Sequence, residues 1–166
     1  MKISAGKILI STPSLADPNF EKVVIFIAEH NKKGALGFVI NKLFSRAFNE
    51  LTAYKDASPL PLYDGGPIEK ESLFFLHCRP DLIAGGTHVI DSIYLGGDFK
   101  QAVQHINDNT LTKSELKLFI GYCGWDDGEL EEEVAEGSWF LDSTTEETVF
   151  TPHVAMLWDQ RYKAIK

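Results

Sequence analysis

Residues 22–30 are apolar at both parities: Val23, Ile25 and Ile27 fall on one face of an extended chain and Val24, Phe26 and Ala28 on the other. A strand of that kind is buried on both sides. The tetrad Asn31, Lys32, Lys33 and Gly34 marks a turn, and residues 35–40 are again apolar throughout, so the two runs read as a hairpin with the shorter Ile8–Ser11 run pairing nearby. After Asn41 the pattern changes. Ser45 followed by Ala47, Phe48 and Leu51 predicts a short helix with Ser45 as its N-cap.

Residues 60–63 form a short extended piece ending at Asp64-Gly65-Gly66-Pro67, and residues 73–78 are another strand apolar on both faces, closed by Pro80. Thr87–Ile90 and residues 92–95 read as strands before Gly96-Gly97. Phe99, Ala102, Val103 and Ile106 then recur at i, i+3, i+4 and i+7, which predicts a helix with Asp98 as cap and Gln101 as its capping-box partner. Residues 116–122 are the next strand. The turn Gly124-Trp125-Asp126-Asp127-Gly128 leads into an acidic helix over residues 129–136 that Gly137 stops, and residues 139–141 form a brief strand. The last predicted helix starts with Thr151 as N-cap and Pro152 at its first position, and buries Val154, Leu157, Trp158 and Ile165.

Strands interrupted by a few helices, with no internal repeat and no linker, predict one α+β domain over residues 1–166. Doubly buried strands favour a twisted, mostly antiparallel sheet that curls into a partly closed barrel flanked by helices. Two cysteines, Cys78 and Cys123, are too few for a disulfide framework and match no zinc spacing. With no secretory leader pattern and no apolar run long enough to span a bilayer, the expected setting is cytoplasmic, away from membranes.

Four collinear stretches carry a resemblance: ILISTPSLADPNFEKVVIFIAEHNKKGALGFVINK near the start, DGGP at 64–67, LGGDF at 95–99 and GYCGWDDGELEEEVAEGSWF at 121–140. Together they resemble the bacterial AlgH/YqgE family, over residues 6–158. Cys123 stands where a small Ala or Ser is commoner in that family, and Glu129 where Gln is usual. The resemblance implies an α+β fold with a bifurcated or barrel-like sheet and a family often labelled as transcriptional regulators. It implies no reaction, so it assigns no catalytic residue, cofactor or metal.

The residues themselves offer few sets that carry chemistry. The Gly65-Gly66 and Gly96-Gly97 pairs are either anion-holding backbone nests or turns that need positive φ; Asp98 places a carboxylate at the helix end that the second pair would offer to an anion. His77 and Cys78 are adjacent, so in a strand they point to opposite faces and cannot act as a base and nucleophile pair. The histidines, at 30, 77, 88, 105 and 153, have no metal-ligand spacing, and no serine sits in a nucleophile elbow. Glu29, His30 and Asn41 end two core strands, either as polar caps or as one rim of a pocket shared with Gly65, Gly66, Gly96 and Gly97, where His30 would carry a proton.

Charge adds one feature. The net charge of −8 is concentrated: residues 1–125 carry 13 basic and 13 acidic side chains, whereas residues 126–150 carry 10 acids and no base. A neutral body without a basic patch makes direct nucleic-acid binding an unfavourable expectation. Glu129 and Glu133, like Glu132 and Glu136, are like-charge i,i+4 pairs that cost an isolated helix about 0.2–0.5 kcal/mol each. The acidic segment is either a solvated face or a docking surface for a basic protein, with Glu132, Glu133 and Glu136 on the helix and Trp125 as anchor or as a lid on the core. The resemblance implies a regulator, transcriptional by the family label, of unestablished molecular activity, and the acidic segment makes protein contacts its expected means; the alternative is a small-molecule or anion-binding pocket or enzyme at the Glu29, His30 and Asn41 rim and the Gly-Gly turns.

Overall fold

The computed structural model describes residues 1–165. The apolar runs become nine strands in one sheet: β1 (Ile8–Ser11), β2 (Val24–Asn31), β3 (Gly34–Val39), β4 (Leu62–Asp64), β5 (Ile68–His77), β6 (Thr87–Ile90), β7 (Ile93–Leu95), β8 (Leu116–Asp126) and β9 (Trp139–Asp142). The helices are α1 (Phe99–Asn107), α2 (Glu129–Ala135), α3 (Glu146–Phe150) and α4 (Leu157–Ile165). Strand order is β6-β7-β5-β8-β3-β2-β1-β9, with β4 branching off β8, and every pairing among these strands is antiparallel except β4 with β8. The fold is therefore α+β with a mostly antiparallel, bifurcated sheet, and the sheet does not close into a barrel.

The fork lies between β3 and β8. The first half of β3 pairs with the end of β8, Gly34 opposite Asp126 and Gly37 opposite Cys123. Beyond that the two strands part and β4 fills the gap. The Val39 N–H donates to the Gly65 carbonyl at 2.9 Å, and the Gly65 N–H donates to the Ile120 carbonyl at 2.8 Å. A Cβ on Gly65 would lie 2.4 Å from the Gly121 carbonyl oxygen, and one on Gly66 would lie 2.3 Å from backbone atoms of Tyr122. The DGGP stretch is thus a backbone-on-backbone crossing that only glycine admits.

Alternation along β2 divides the core as its sequence predicts. Val24, Phe26 and Ala28 join Ile8, Phe38, Tyr63 and Phe119 in a cluster capped by α3 and α4. Val23, Ile25 and Ile27 join Trp125, Leu130 and Trp139 under α2. A third cluster places Ala102 and Ile106 of α1 against Leu62, Phe75, Leu116, Leu118 and Ile120. No helix among the described residues is long and apolar enough to cross a membrane.

Three local expectations change. The segment after Asn41 does not form a helix capped by Ser45, because the Phe44 and Phe48 N–H groups donate to the Leu62 and Leu60 carbonyls as a strand would, leaving two 3-10 turns, Phe48–Glu50 and Thr52–Tyr54. Asp98 does cap α1, accepting from the Gln101 N–H at 3.1 Å, but the Gln101 side chain accepts from the Ala84 N–H instead of returning to Asp98. Thr151 and Pro152 do not open the last helix: Thr145 caps α3, Thr151 ends it, and α4 begins at Leu157.

Gly65→Ala should lower stability by about 1–3 kcal/mol or more, because the added methyl meets backbone that cannot move away. Gly124→Ala meets only the ends of the Ile68 and Tyr122 side chains, at 3.1 and 3.5 Å, and should cost clearly less. Urea denaturation of both variants checks the contrast.

Candidate functional site

Two adjoining hollows open where the strands lose regular pairing. In β2 the register shifts between Ile27 and Glu29, and in β5 it shifts between Ile68 and Leu73, with Glu69 at φ 50°. Bulges re-aim side chains. The first brings Glu29 to the boundary of both hollows; the second turns Lys70, Glu71 and Ser72 toward the larger one. That larger cleft, about 980 Å³, is walled by Phe44, Leu51, Tyr54, Phe74, Phe75 and Phe99, with Arg46 and the Gly96-Gly97 turn also lining it. Its aromatic wall is locked from behind. Phe48, fully buried, stacks on Tyr54 at 4.6 Å, and Tyr54 meets Phe99 edge-on at 5.7 Å.

The smaller hollow, about 500 Å³, is floored by Leu36, Ile68, Tyr122 and the edge of Trp125, and rimmed by Glu29, Asp126 and Glu129 with Lys33 as its one cation. It lies beside α2, whose carboxylates have separate duties. Glu133 turns inward, where one oxygen accepts from both indoles: Trp139 Nε1 at 2.9 Å and Trp125 Nε1 at 3.1 Å. Glu131 pairs with His30 Nε2 at 2.8 Å, a bond that holds the Glu131 carboxyl below its ordinary pKa. Glu129 accepts from the Asp126 N–H at 3.2 Å and so fastens the start of the helix. Glu132 and Glu136 are left exposed.

The structure brings together only part of the expected rim. Glu29, Gly96 and Gly97 line the larger cleft. His30 is drawn away to α2, and Asn41 is buried, its side chain accepting from the Val24 N–H at 2.9 Å and donating to the Lys22 carbonyl at 3.0 Å. Gly65 and Gly66 belong to the fork. Of the expected docking residues, Trp125 is only 7% exposed and serves as floor, and Glu133 is committed to the two indoles, which leaves Glu132 and Glu136 on the outside.

The remaining reactive side chains are held in structural bonds. His77 is fully buried; its Nδ1 accepts from the Arg79 N–H at 3.1 Å, which fixes the proton on Nε2 for donation to the Gly96 carbonyl at 3.0 Å. Burial lowers its pKa and keeps the ring neutral. The Cys123 thiol is pushed up to about 12 by burial and by Asp64, and Cys78 is also raised, chiefly by burial. Neither is poised as a thiolate.

Sequence reasoning missed Lys117. Its side chain, 3% exposed, faces the cluster under α3 and α4, and its amine donates to the carbonyls of Ile40 at 2.8 Å, Val149 at 3.0 Å and Thr151 at 3.5 Å while lying 4.1 Å over the Tyr63 ring. Burial pulls its pKa down to about 7. The three carbonyls and the ring face, each the negative end of a dipole, are what hold a proton there. Its one-residue alternation with apolar Leu116 and Leu118 in a doubly buried strand was the available signal.

Comparison with known proteins places the chain among close relatives. A family model described as AlgH-like matches residues 8–166. A UPF0301 protein of Chlorobium luteolum is 36% identical over 163 residues, covering 98% of this chain and 86% of that protein, and a UPF0301 protein of Chlorobaculum tepidum is 36% identical over 162 residues, covering 98% and 87%. Among solved structures, the AlgH protein of Pseudomonas aeruginosa superposes with a TM-score of 0.78 at 25% identity, covering 99% of this chain and 92% of that one. Protein DIP2367 of Corynebacterium diphtheriae has the same fold, with a TM-score of 0.82 at 21% identity over 99% of this chain and 88% of its own.

Two variants test these internal bonds. Glu133→Leu leaves both indole N–H groups without an acceptor and should cost about 1–3 kcal/mol for each, whereas Glu133→Gln keeps an acceptor oxygen and should cost less; tryptophan fluorescence during urea unfolding reads both. Lys117 has a lower pKa folded than unfolded, so above pH 7 the unfolded chain binds the extra proton and stability rises with pH until the amine is also neutral when unfolded. Compared with Lys117→Met, the wild type should gain stability between pH 7 and 10, at a slope of up to about 1.4 kcal/mol per pH unit.

Proposed function

The chain belongs to the AlgH-like family, and from that premise we propose that it is a cytoplasmic regulatory protein that works by docking a basic protein partner in the hollow beside α2, rather than by turnover. One observation carries this reading: an apolar floor of Leu36, Ile68 and Tyr122 lies inside a rim with three carboxylates and one amine. Ile68, 38% exposed, is among the few large apolar side chains left open to solvent. A desolvated apolar centre inside a charged rim is how protein interfaces are built, with the centre supplying affinity and the rim supplying orientation and choice of partner. The exposed Glu132 and Glu136 extend the same sign outward along α2. Any influence on transcription passes through that partner, since the body is neutral and offers no concentrated basic patch to a duplex, the excess negative charge lying in residues 126–150.

The fixed state of the acidic helix supports the reading as well. Glu129, Glu131 and Glu133 are each tied down, so α2 presents its outer carboxylates from a rigid support and loses little freedom when a partner binds.

Asp126→Asn combined with Glu132→Gln and Glu136→Gln removes three exposed charges and leaves Glu133 on its indoles. The triple variant should melt close to the wild type. Immobilised wild-type protein should recover a basic protein from bacterial cytosol at low salt, and recovery should fall at least about tenfold with the variant and also fall as salt is raised. Equal recovery by the two proteins would reject the docking surface.

A further inference from the structure

The larger cleft adjoins the docking hollow, sharing Glu29 and Leu36 with it, and has its own chemistry. Its volume, about 980 Å³, lies at the upper end of the range of roughly 300–1,000 Å³ for small-molecule sites. Its wall is aromatic and preorganised. Phe48 and Tyr54 stack, Tyr54 and Phe99 meet at 87°, and Phe75 lies 5.7 Å from Phe99, so the ring faces that line the cleft are fixed before anything enters. A fixed wall of rings selects a flat, apolar body, since it offers offset-stacked and edge-on contacts without ordering cost.

The charged groups choose the head group. Arg46 rests over the Phe44 ring at 5.8 Å and makes no ion pair among the described residues, so its donors remain available to a ligand. Lys70, on the β5 bulge, is shared with Asp64 at 3.4 Å. Glu29 and Glu71 also line the cleft, so its two bases are balanced by two acids. That balance disfavours a dianion such as a phosphate monoester, while one uncommitted guanidinium matches a single carboxylate, which it can grip with two parallel hydrogen bonds. Glu29 lines both the cleft and the docking hollow, and Arg46 belongs to the same segment as Phe44, Leu51 and Tyr54 of the aromatic wall.

We propose that this cleft is a binding site for a monoanionic aromatic acid, with its ring against Tyr54 and Phe99 and its carboxylate on Arg46. Both bulges and the Gly96-Gly97 turn serve the site. They open the backbone along its edge where regular pairing would bring strands together, and Gly96 is held in place by the buried His77 ring.

The full chain is titrated with 2-naphthoate, with neutral 2-naphthamide, with cationic 2-naphthylmethylamine and with phenyl phosphate, and read by amide NMR shifts and by calorimetry. Naphthoate should bind with shifts confined to residues 44–54, 70–75 and 95–99, and the amide should bind about tenfold or more weakly, the factor expected for one charge-assisted contact. Arg46 is exposed, so Arg46→Gln should fold normally; it should lose about tenfold for naphthoate and nothing for the amide, and Arg46→Lys should recover part of the loss. No shift at the solubility limit of the acid would overturn the proposal, as would shifts outside the cleft, equal affinity for acid and amide, tighter binding of the amine or the phosphate, or an Arg46→Gln variant that binds naphthoate as the wild type does.

Discussion

The crossing of Gly65 and Gly66 over Gly121 and Tyr122 is the contact on which the rest of the molecule depends. A sheet whose central strands β1, β2 and β8 are largely buried on both faces has too much apolar surface for a flat arrangement to cover. By letting β4 enter between β3 and β8, the crossing splits the sheet into two wings, and the three core clusters occupy the spaces so created. Each wing is then covered by its own helices, α2 on one and α1 on the other, while α3 and α4 fill the fold between them. The Gly65 backbone bonds to both separating strands, donating to β8 and accepting from the end of β3, so it bridges the fork with the hydrogen bonds of a regular ladder.

Regular pairing and irregular pairing have divided the labour. Where β2, β3 and β8 keep register they make core. Where β2 and β5 skip residues they make the openings, and every polar side chain in the larger cleft's lining comes from a bulge, a turn or the irregular segment between β3 and β4. Bulges shift side chains by a residue at little cost to the ladder on either side, which makes them a cheap means of bringing Glu29, Lys70, Glu71 and Ser72 to one place on an otherwise rigid frame.

Periodicity told most of the fold. The split of β2 into two buried faces, the hairpin at Asn31 to Gly34, the capped start of α1 and the acidic α2 ending at Gly137 all rest on local patterns that the tertiary structure keeps. It failed at Ser45 and at Thr151, where distant partners overrode local capping signals: the backbone carbonyls of Leu60 and Leu62 in the first case, and in the second the Lys117 side-chain amine, which takes carbonyls from the end of α3. The site was less legible for the same reason. Glu29 with Gly96 and Gly97 could be guessed from strand ends and glycine pairs, but the aromatic wall comes from segments far apart in sequence, and Arg46 reads as an ordinary surface base. Glu133 looked like one of several equivalent acids until the two indoles singled it out.

Lys117 also ties distant segments to one another. Its amine is buried with acceptors from two separate parts of the chain, Ile40 after β3 and Val149 with Thr151 at the end of α3. Without those carbonyls β8 would carry an ammonium into apolar surroundings with fewer acceptors to offset its desolvation. One buried amine thus couples the central strand β8 to the end of α3, although more than 30 residues separate Lys117 from Thr151.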